Sequence, residues 1–196
     1  MNEHIILMAR PPELGRVKTR LAATLGEDKA LAIYCQLLNH TFDVLNEVGK
    51  SLTVFAAGNP QWFHDLGYNT IEQTDGDLGV RMEHAFASTF HKKSGAVIML
   101  GTDCLELTEQ HVKSALDCLT RMDVVLGPAK DGGYYLIGMK SHHRELFEEM
   151  PWSTDKLLEQ TIKAIRRNSL SFGSISILRD VDIEEDLPER MRRITV

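Results

Sequence analysis

Short, mostly apolar runs recur along this chain, at residues 5–8, 52–57, 96–100, 123–126 and 134–139. Runs of this length, closed by turn-forming residues, read as strands buried on both faces, as in a parallel sheet. Arg10-Pro11-Pro12 closes the first, Gly58-Asn59-Pro60 the second, and Gly101-Thr102-Asp103 the third. Between these runs the spacing becomes helical. Over residues 27–48, Ala30, Ile33, Tyr34, Leu37, Leu38, Thr41 and Leu45 share one face. Residues 78–91 carry Val80, Met82, Ala85, Phe86 and Phe90 as their apolar members. Thr108 is placed to cap a helix reaching about residue 120, although His111 stands where a full capping box has an acid. Weaker patterns predict a strand at 68–71, a helix opened by His142-His143, a helix over 154–167, a strand at 174–178 and a short helix from Ile183. Strands alternating with helices predict an α/β fold with a mainly parallel sheet covered on both faces. No repeat or low-complexity linker divides residues 1–196, which read as one domain.

Composition narrows the function classes. The chain is 43% hydrophobic and 26% charged, a globular balance. Its net charge of −6 argues against broad nucleic-acid binding, which needs a basic surface to neutralise phosphates. Cys35, Cys104 and Cys118 form no CxxC pair, so neither a disulfide framework nor a zinc site is expected, and a reducing cytosol suits them. No apolar run has membrane-spanning length, and no basic segment precedes residues 5–8 as in a signal peptide. A cytoplasmic protein without a membrane span is therefore expected, its oligomeric state open.

Three regions carry candidate chemistry. The first predicted strand empties into a long loop, residues 9–21, holding Arg10, Gly15, Arg16, Lys18 and Arg20. Ligands of open α/β sheets bind at the carboxyl ends of strands, so this loop suits an anion. Arg20 offers bidentate contacts to phosphate and Lys18 a compact charge. Neither G-x-G-x-x-G nor a Walker A loop is present, and on its own the segment reads equally as a solvated basic loop. Asp77 and Gly79 enter the helix at 78–91, where backbone N–H groups can meet an anion or a base edge. Taken alone these two residues favour a plain turn with Asp77 as N-cap.

Asp103 follows the most apolar strand and is placed to hold a hard divalent cation together with substrate phosphate oxygens. Asp131-Gly132-Gly133-Tyr134-Tyr135, after Gly127-Pro128, reads either as a hairpin turn or as an acceptor pocket. Asp180 and Asp182 share a face if their segment is extended. Either is a candidate second metal ligand, although an acidic N-terminus to the last helix explains them as simply. The eight histidines show no metal-ligand spacing, Met99 and Met139 read as core, and no nucleophile elbow is present.

Four segments together resemble a known family: Gly15-Arg16-Val17-Lys18-Thr19-Arg20-Leu21, Gly101-Thr102-Asp103-Cys104, Gly127-Pro128-Ala129 with Asp131-Gly132-Gly133-Tyr134-Tyr135-Leu136-Ile137-Gly138, and Pro151-Trp152-Ser153-Thr154. Their order and spacing look like the bacterial glycosyltransferase-A-like proteins of the DUF2064 family, within the nucleotide-diphospho-sugar transferases. The resemblance implies a Rossmann-like, three-layer α/β/α sandwich with a mostly parallel central sheet. It also implies a nucleotide over the N-terminal half and a metal on Asp103. Asp182-Ile183-Glu184-Glu185-Asp186-Leu187 is similar to a segment that supplies the second metal ligand in the sugar-cytidylyltransferase branch, which places Asp182 above Asp180. One position departs: Leu105 stands where the family has a turn-stiffening proline.

The expected activity is that of a Mg²⁺- or Mn²⁺-dependent transferase using a nucleotide triphosphate or nucleotide-sugar and a small-molecule acceptor. Lys18, Asp103 and Asp131 are the expected catalytic residues. Arg10, Gly15, Arg16, Lys18, Arg20, Asp77 and Gly79 would hold the nucleotide, and Gly132, Gly133, Tyr134 and Trp152 the acceptor. Asp103 and Asp182 would hold the metal. Early basic groups favour nucleotidyl transfer, and Asp103-Cys104-Leu105 lacks the Asp-x-Asp pair usual for glycosyl transfer. The rival class is a nucleotide- or sugar-binding regulatory protein without turnover.

Overall fold

A computed structural model describes residues 3–92 and 95–192. In chain order the elements are β1 (His4–Ala9), α1 (Thr19–Leu25), α2 (Glu27–Val48), β2 (Ser51–Ala56), α3 (Gln61–Asp65), β3 (Thr70–Glu72), α4 (Leu78–Lys92) and β4 (Val97–Leu100). There follow α5 (Glu109–Leu119), β5 (Val124–Pro128), β6 (Tyr134–Met139), α6 (Leu157–Arg167), β7 (Phe172–Ser174) and α7 (Glu189–Arg192). The strands form a seven-stranded sheet in the order β3-β2-β1-β4-β6-β5-β7. Every pairing is parallel except those of β6, which runs antiparallel to β4 and β5. The cause is local: only residues 129–133 join β5 to β6, too few for the crossover that a parallel pair requires.

Alternation along the strands divides the core into two layers. Ile5, Leu7 and Ala9 of β1 pack with Leu38, Phe42 and Leu45 of α2 and Val112 and Leu116 of α5. Ile6, Phe55 and Met99 face the other way, against Met82, Ala85 and Phe86 of α4 and Ala164 and Ile165 of α6. The result is the α/β, three-layer, mostly parallel architecture. Full burial of a side chain such as Phe86 stabilises by about 1.5–3 kcal/mol. A smaller cluster joins Leu21, Ile33 and Leu37 to Val181, Leu187 and Met191, laying the last described residues on α1 and α2.

The face expected on α2 is the buried one, with Phe42, Val44 and Val48 added to it. His111 does replace the missing acid of the capping box: the Thr108 backbone N–H donates to His111 Nδ1 at 3.1 Å. Other expectations need correction. The loop after β1 is shorter than expected, because α1 begins at Thr19 and places Arg20 on a helix. Val80 is 49% exposed and lies off the buried face of α4. The strand expected at 174–178 lies at Phe172–Ser174, followed by an isolated bridge between Ala129 and Leu178. Helix α6 starts at Leu157, and a 3-10 turn at Arg144–Leu146 stands where His142-His143 was to open a helix. From Ile183 comes a 3-10 turn, Glu184–Asp186, before α7. Among the described residues no helix is long and apolar enough to cross a membrane.

Gly138 tests the tightness of the junction between the parallel strands and β6. A Cβ there would lie 2.7 Å from Ile98 Cγ2 and 2.9 Å from Val125 Cγ1. Gly138→Ala is expected to destabilise the protein by about 1–3 kcal/mol, the usual penalty of overpacking. Urea unfolding should show a lowered midpoint with an unchanged slope, and a wild-type midpoint would show the junction to be looser than this.

Candidate functional site

The exits of β1 and β4 and the entry of β6 open on the same end of the sheet, where the strand direction reverses. Ligand crevices of α/β sheets form at such ends. A cleft of about 690 Å³ lies here. Five cationic side chains line it (Arg10, Arg16, Lys18, Arg20 and Arg81), with five aspartates: Asp103, Asp131, Asp155, Asp180 and Asp182.

Lys18 organises the centre. Its backbone is left-handed, φ 46° and ψ 47°, where a residue with a Cβ is strained by about 1–2 kcal/mol. Its side chain is only 6% exposed, and a buried ammonium needs partners. Nζ lies 2.6 Å from Asp103 Oδ1 and 3.6 Å from Asp182 Oδ1, and it donates to Val181 O at 2.7 Å. Arg20 Nη1 reaches Asp182 Oδ2 at 3.2 Å. Val181 N–H donates to Asp103 O at 2.8 Å, so β4's tip and the C-terminal segment are joined by backbone as well as by charge. Asp186 Oδ2 accepts from the N–H groups of Asp182 and Ile183, bracing that segment from behind.

Asp180 lies beside this pair. Burial, followed by the carboxylates of Asp103 and Asp131, raises its pKa to about 7, with Lys18 opposing. Tyr34, from α2, fixes the exit of β1: its hydroxyl donates to Arg10 O at 2.6 Å and accepts from Arg10 N–H at 3.1 Å. Burial pushes that phenol up to about 12, against the hydrogen bonds from Arg10 and Thr102. Leu105, in the place of proline, packs on the Leu21–Val181 cluster, so apolar contacts hold the turn after Asp103.

The expected residues separate into those at the cleft and those that shape it. Arg10, Arg16, Lys18, Arg20, Asp103, Asp131, Gly133, Tyr134 and Asp182 all line it. Asp131 Oδ1 accepts from Gly133 N–H at 2.9 Å, forming its own turn. Gly132 adopts φ +90° and is wedged against the Asp155 backbone, and its carbonyl accepts from Leu158 N–H at 2.9 Å at the start of α6. Gly15, at φ +71°, turns the loop outside the cleft. Asp77 caps α4 through Val80 N–H at 2.9 Å and faces a separate groove. Gly79 is buried beneath Trp152, where any side chain would strike the indole. Trp152 itself lies off the main cleft.

Sequence reasoning missed Gln73, Leu78 and Arg81 as lining residues and ranked Asp180 below Asp182. Gln73 directly follows β3, a strand-end position that could have been noticed, and Arg81 lies one helical turn after Leu78.

The donor set fits a hard cation in kind: two aspartate carboxylates that converge on one positive point, Lys18 Nζ, with only oxygen donors. Among the described residues no group of three or more His, Cys, Asp or Glu side chains is arranged to hold a metal. A cation here would therefore need substrate oxygens to complete its shell.

Solved structures share this fold. A protein from Desulfovibrio desulfuricans G20, provisionally named a nucleotide-diphospho-sugar transferase, is 27% identical, with a TM-score of 0.87 over 98% of this chain and 90% of that one. An inositol-1-phosphate CTP transferase from T. maritima is 14% identical, with a TM-score of 0.63 over 98% and 94%. Rv0371c from Mycobacterium tuberculosis H37Rv, solved in complex with manganese, is 13% identical, with a TM-score of 0.61 over 99% and 100%. Among curated proteins none matches the sequence. Residues 46–154, more than half of the chain, match the family model described as "Uncharacterized protein conserved in bacteria (DUF2064)", and the chain belongs to that family.

Proposed function

We propose that this protein is a Mg²⁺- or Mn²⁺-dependent nucleotidyltransferase acting on a small acceptor. The observation that carries the reading is the joining of Asp103, Asp182 and Lys18 at the mouth of a cleft lined by four further cations. The fold shared with a CTP transferase and a manganese-bound protein supports it.

Asp103 and Asp182 would hold the metal, which when bound offsets negative charge on nucleotide phosphates. Lys18 and Arg20 would contact those phosphates, with Arg16 and Arg10 at the rim. An acceptor oxygen attacks the α-phosphorus as the bond to the β-phosphate's bridging oxygen breaks, and pyrophosphate departs. The basic groups around the cleft stabilise the charge that gathers on that leaving group. Asp131 and Tyr134 would orient the acceptor. Glycosyl transfer is less well served, because the residue two after Asp103 is Leu105, which packs into an apolar cluster.

Two substitutions separate these roles. Asp103→Asn should weaken binding of a manganese–nucleotide complex about tenfold or more, as loss of a charged contact worth ~1.5–3 kcal/mol implies. Wild-type affinity in isothermal titration would remove Asp103 from the metal site. Lys18→Met should act in opposite directions on two ligands. Triphosphate affinity should fall by a similar factor, while Mn²⁺ alone should bind more tightly, because its carboxylates lose the competing ammonium. Unchanged Mn²⁺ affinity by electron paramagnetic resonance would show that Lys18 does not compete for that position. For turnover, a panel of nucleotide triphosphates and nucleotide-sugars with Mg²⁺ and small acceptors should yield a nucleotidylated product by mass spectrometry. Binding without product across the panel would favour a regulatory binding protein.

A further inference from the structure

We infer that a second, apolar pocket opening off the cleft at Asp103 receives an uncharged part of the acceptor. The acceptor is then a phosphate or alcohol carried on a single aromatic ring or a short branched alkyl group. This rests on the nucleotidyltransferase reading and names its substrate class.

The pocket exists because β4 and β6 part company. Their register runs from Val97↔Met139 to Leu100↔Leu136, after which β4 ends and the chain leaves through Gly101. The gap holds about 290 Å³. Met8, Met82, Met99, Tyr134, Trp152 and Leu157 wall it, and Asp103 and Asp180 border both it and the cleft. Trp152 reaches this place because Gly79 has no side chain to block the indole.

Charge separates the two spaces. Arg10, Arg16, Lys18, Arg20 and Arg81 all line the cleft, whereas among the described residues no Lys, Arg or His lines the pocket. A phosphate or a nucleotide triphosphate finds no described cation there to neutralise it, and the two border carboxylates would repel it. A nucleobase has a polar edge all round its ring, and most of the pocket's wall is thioether, indole and leucine, with Thr102 and the tyrosines as its few polar side chains besides the border carboxylates. An uncharged ring or alkyl group loses nothing comparable and gains apolar contact. Methionines are unbranched and polarizable, and they make favourable contacts with aromatic rings. The volume lies at the small end of the roughly 300–1,000 Å³ typical of ligand sites, which limits the occupant to one ring or its equivalent. A group seated there leaves its attached oxygen at the Asp103 border, where the cleft begins.

Equilibrium dialysis with phenyl phosphate and glycerol 3-phosphate tests this, with and without manganese and a nucleotide triphosphate. Wild type is expected to prefer phenyl phosphate about tenfold or more, the return on burying one ring. Met82→Phe, which fills the pocket, should abolish the preference. Met82→Ala should extend it to naphthyl phosphate. Met82 does not line the cleft, so triphosphate affinity should stay at the wild-type value in both variants. Equal binding of the two phosphates by wild type would overturn the proposal. So would a preference that survives in a folded Met82→Phe protein, or displacement of phenyl phosphate by free nucleosides. If no nucleotide binds while the ring preference and its loss persist, the nucleotide reading fails and the pocket does not. If nucleotide binds and the preference is missing, the pocket alone fails.

Discussion

The site depends on one buried ammonium. Lys18 Nζ meets a carboxylate of Asp103, a carboxylate of Asp182 and the carbonyl of Val181 with its side chain almost wholly covered. That contact explains why a lysine tolerates a left-handed backbone at the start of α1. It also explains how several aspartates can share a small volume. Asp180, off that contact, has its pKa raised to about 7 by burial first and by the neighbouring carboxylates of Asp103 and Asp131 second. An unpaired ammonium as covered as this one is destabilising, so Lys18 depends on its carboxylates, which are themselves partly open to solvent.

The second constraint is topological. The five-residue link at 129–133 forces β6 to run against its neighbours. The reversal ends the β4–β6 pairing at Leu100 and Leu136 and opens space beside Asp103. On one side of that carboxylate lies a cleft rich in arginine and lysine, and on the other a pocket walled by thioethers and an indole. One turn therefore sets a charged cleft apart from an apolar pocket.

Much of this was legible in the residues. The apolar face of α2 is long enough, 22 residues, for its period to be unambiguous. Asp103 stood out because an acid at the tip of four buried residues has few structural uses. Helix α1 escaped notice because it has no acidic first turn and no side-chain cap, and its N-cap is the strained lysine itself. Strand β7 was misplaced because it is three residues long at the sheet's edge, while the more apolar Ile177 nearby is 62% exposed. Gln73 reaches the cleft from the exit of β3, a three-residue strand too short to draw attention to its end, and Arg81 reaches it from α4 with no local pattern to announce it. Asp180 and Asp182 could not be ranked by spacing, because both face the cleft and it is the ion pairs of Asp182 with Lys18 and Arg20 that distinguish them.

The hydrogen bond from Lys18 to Val181 spans 163 residues. Contacts so distant in sequence close last and slow folding. During synthesis β1 and the loop holding Lys18 leave the ribosome long before residues 180–182 exist. The sheet can therefore assemble before Asp182, the carboxylate shared by Lys18 and Arg20, has been made. Lys18 can meet Asp103 once β4 is in place, but its contacts with Val181 and Asp182 wait for residues 180–182. Completion of the site in this way requires that the segments around residues 18, 103 and 181 have all come together.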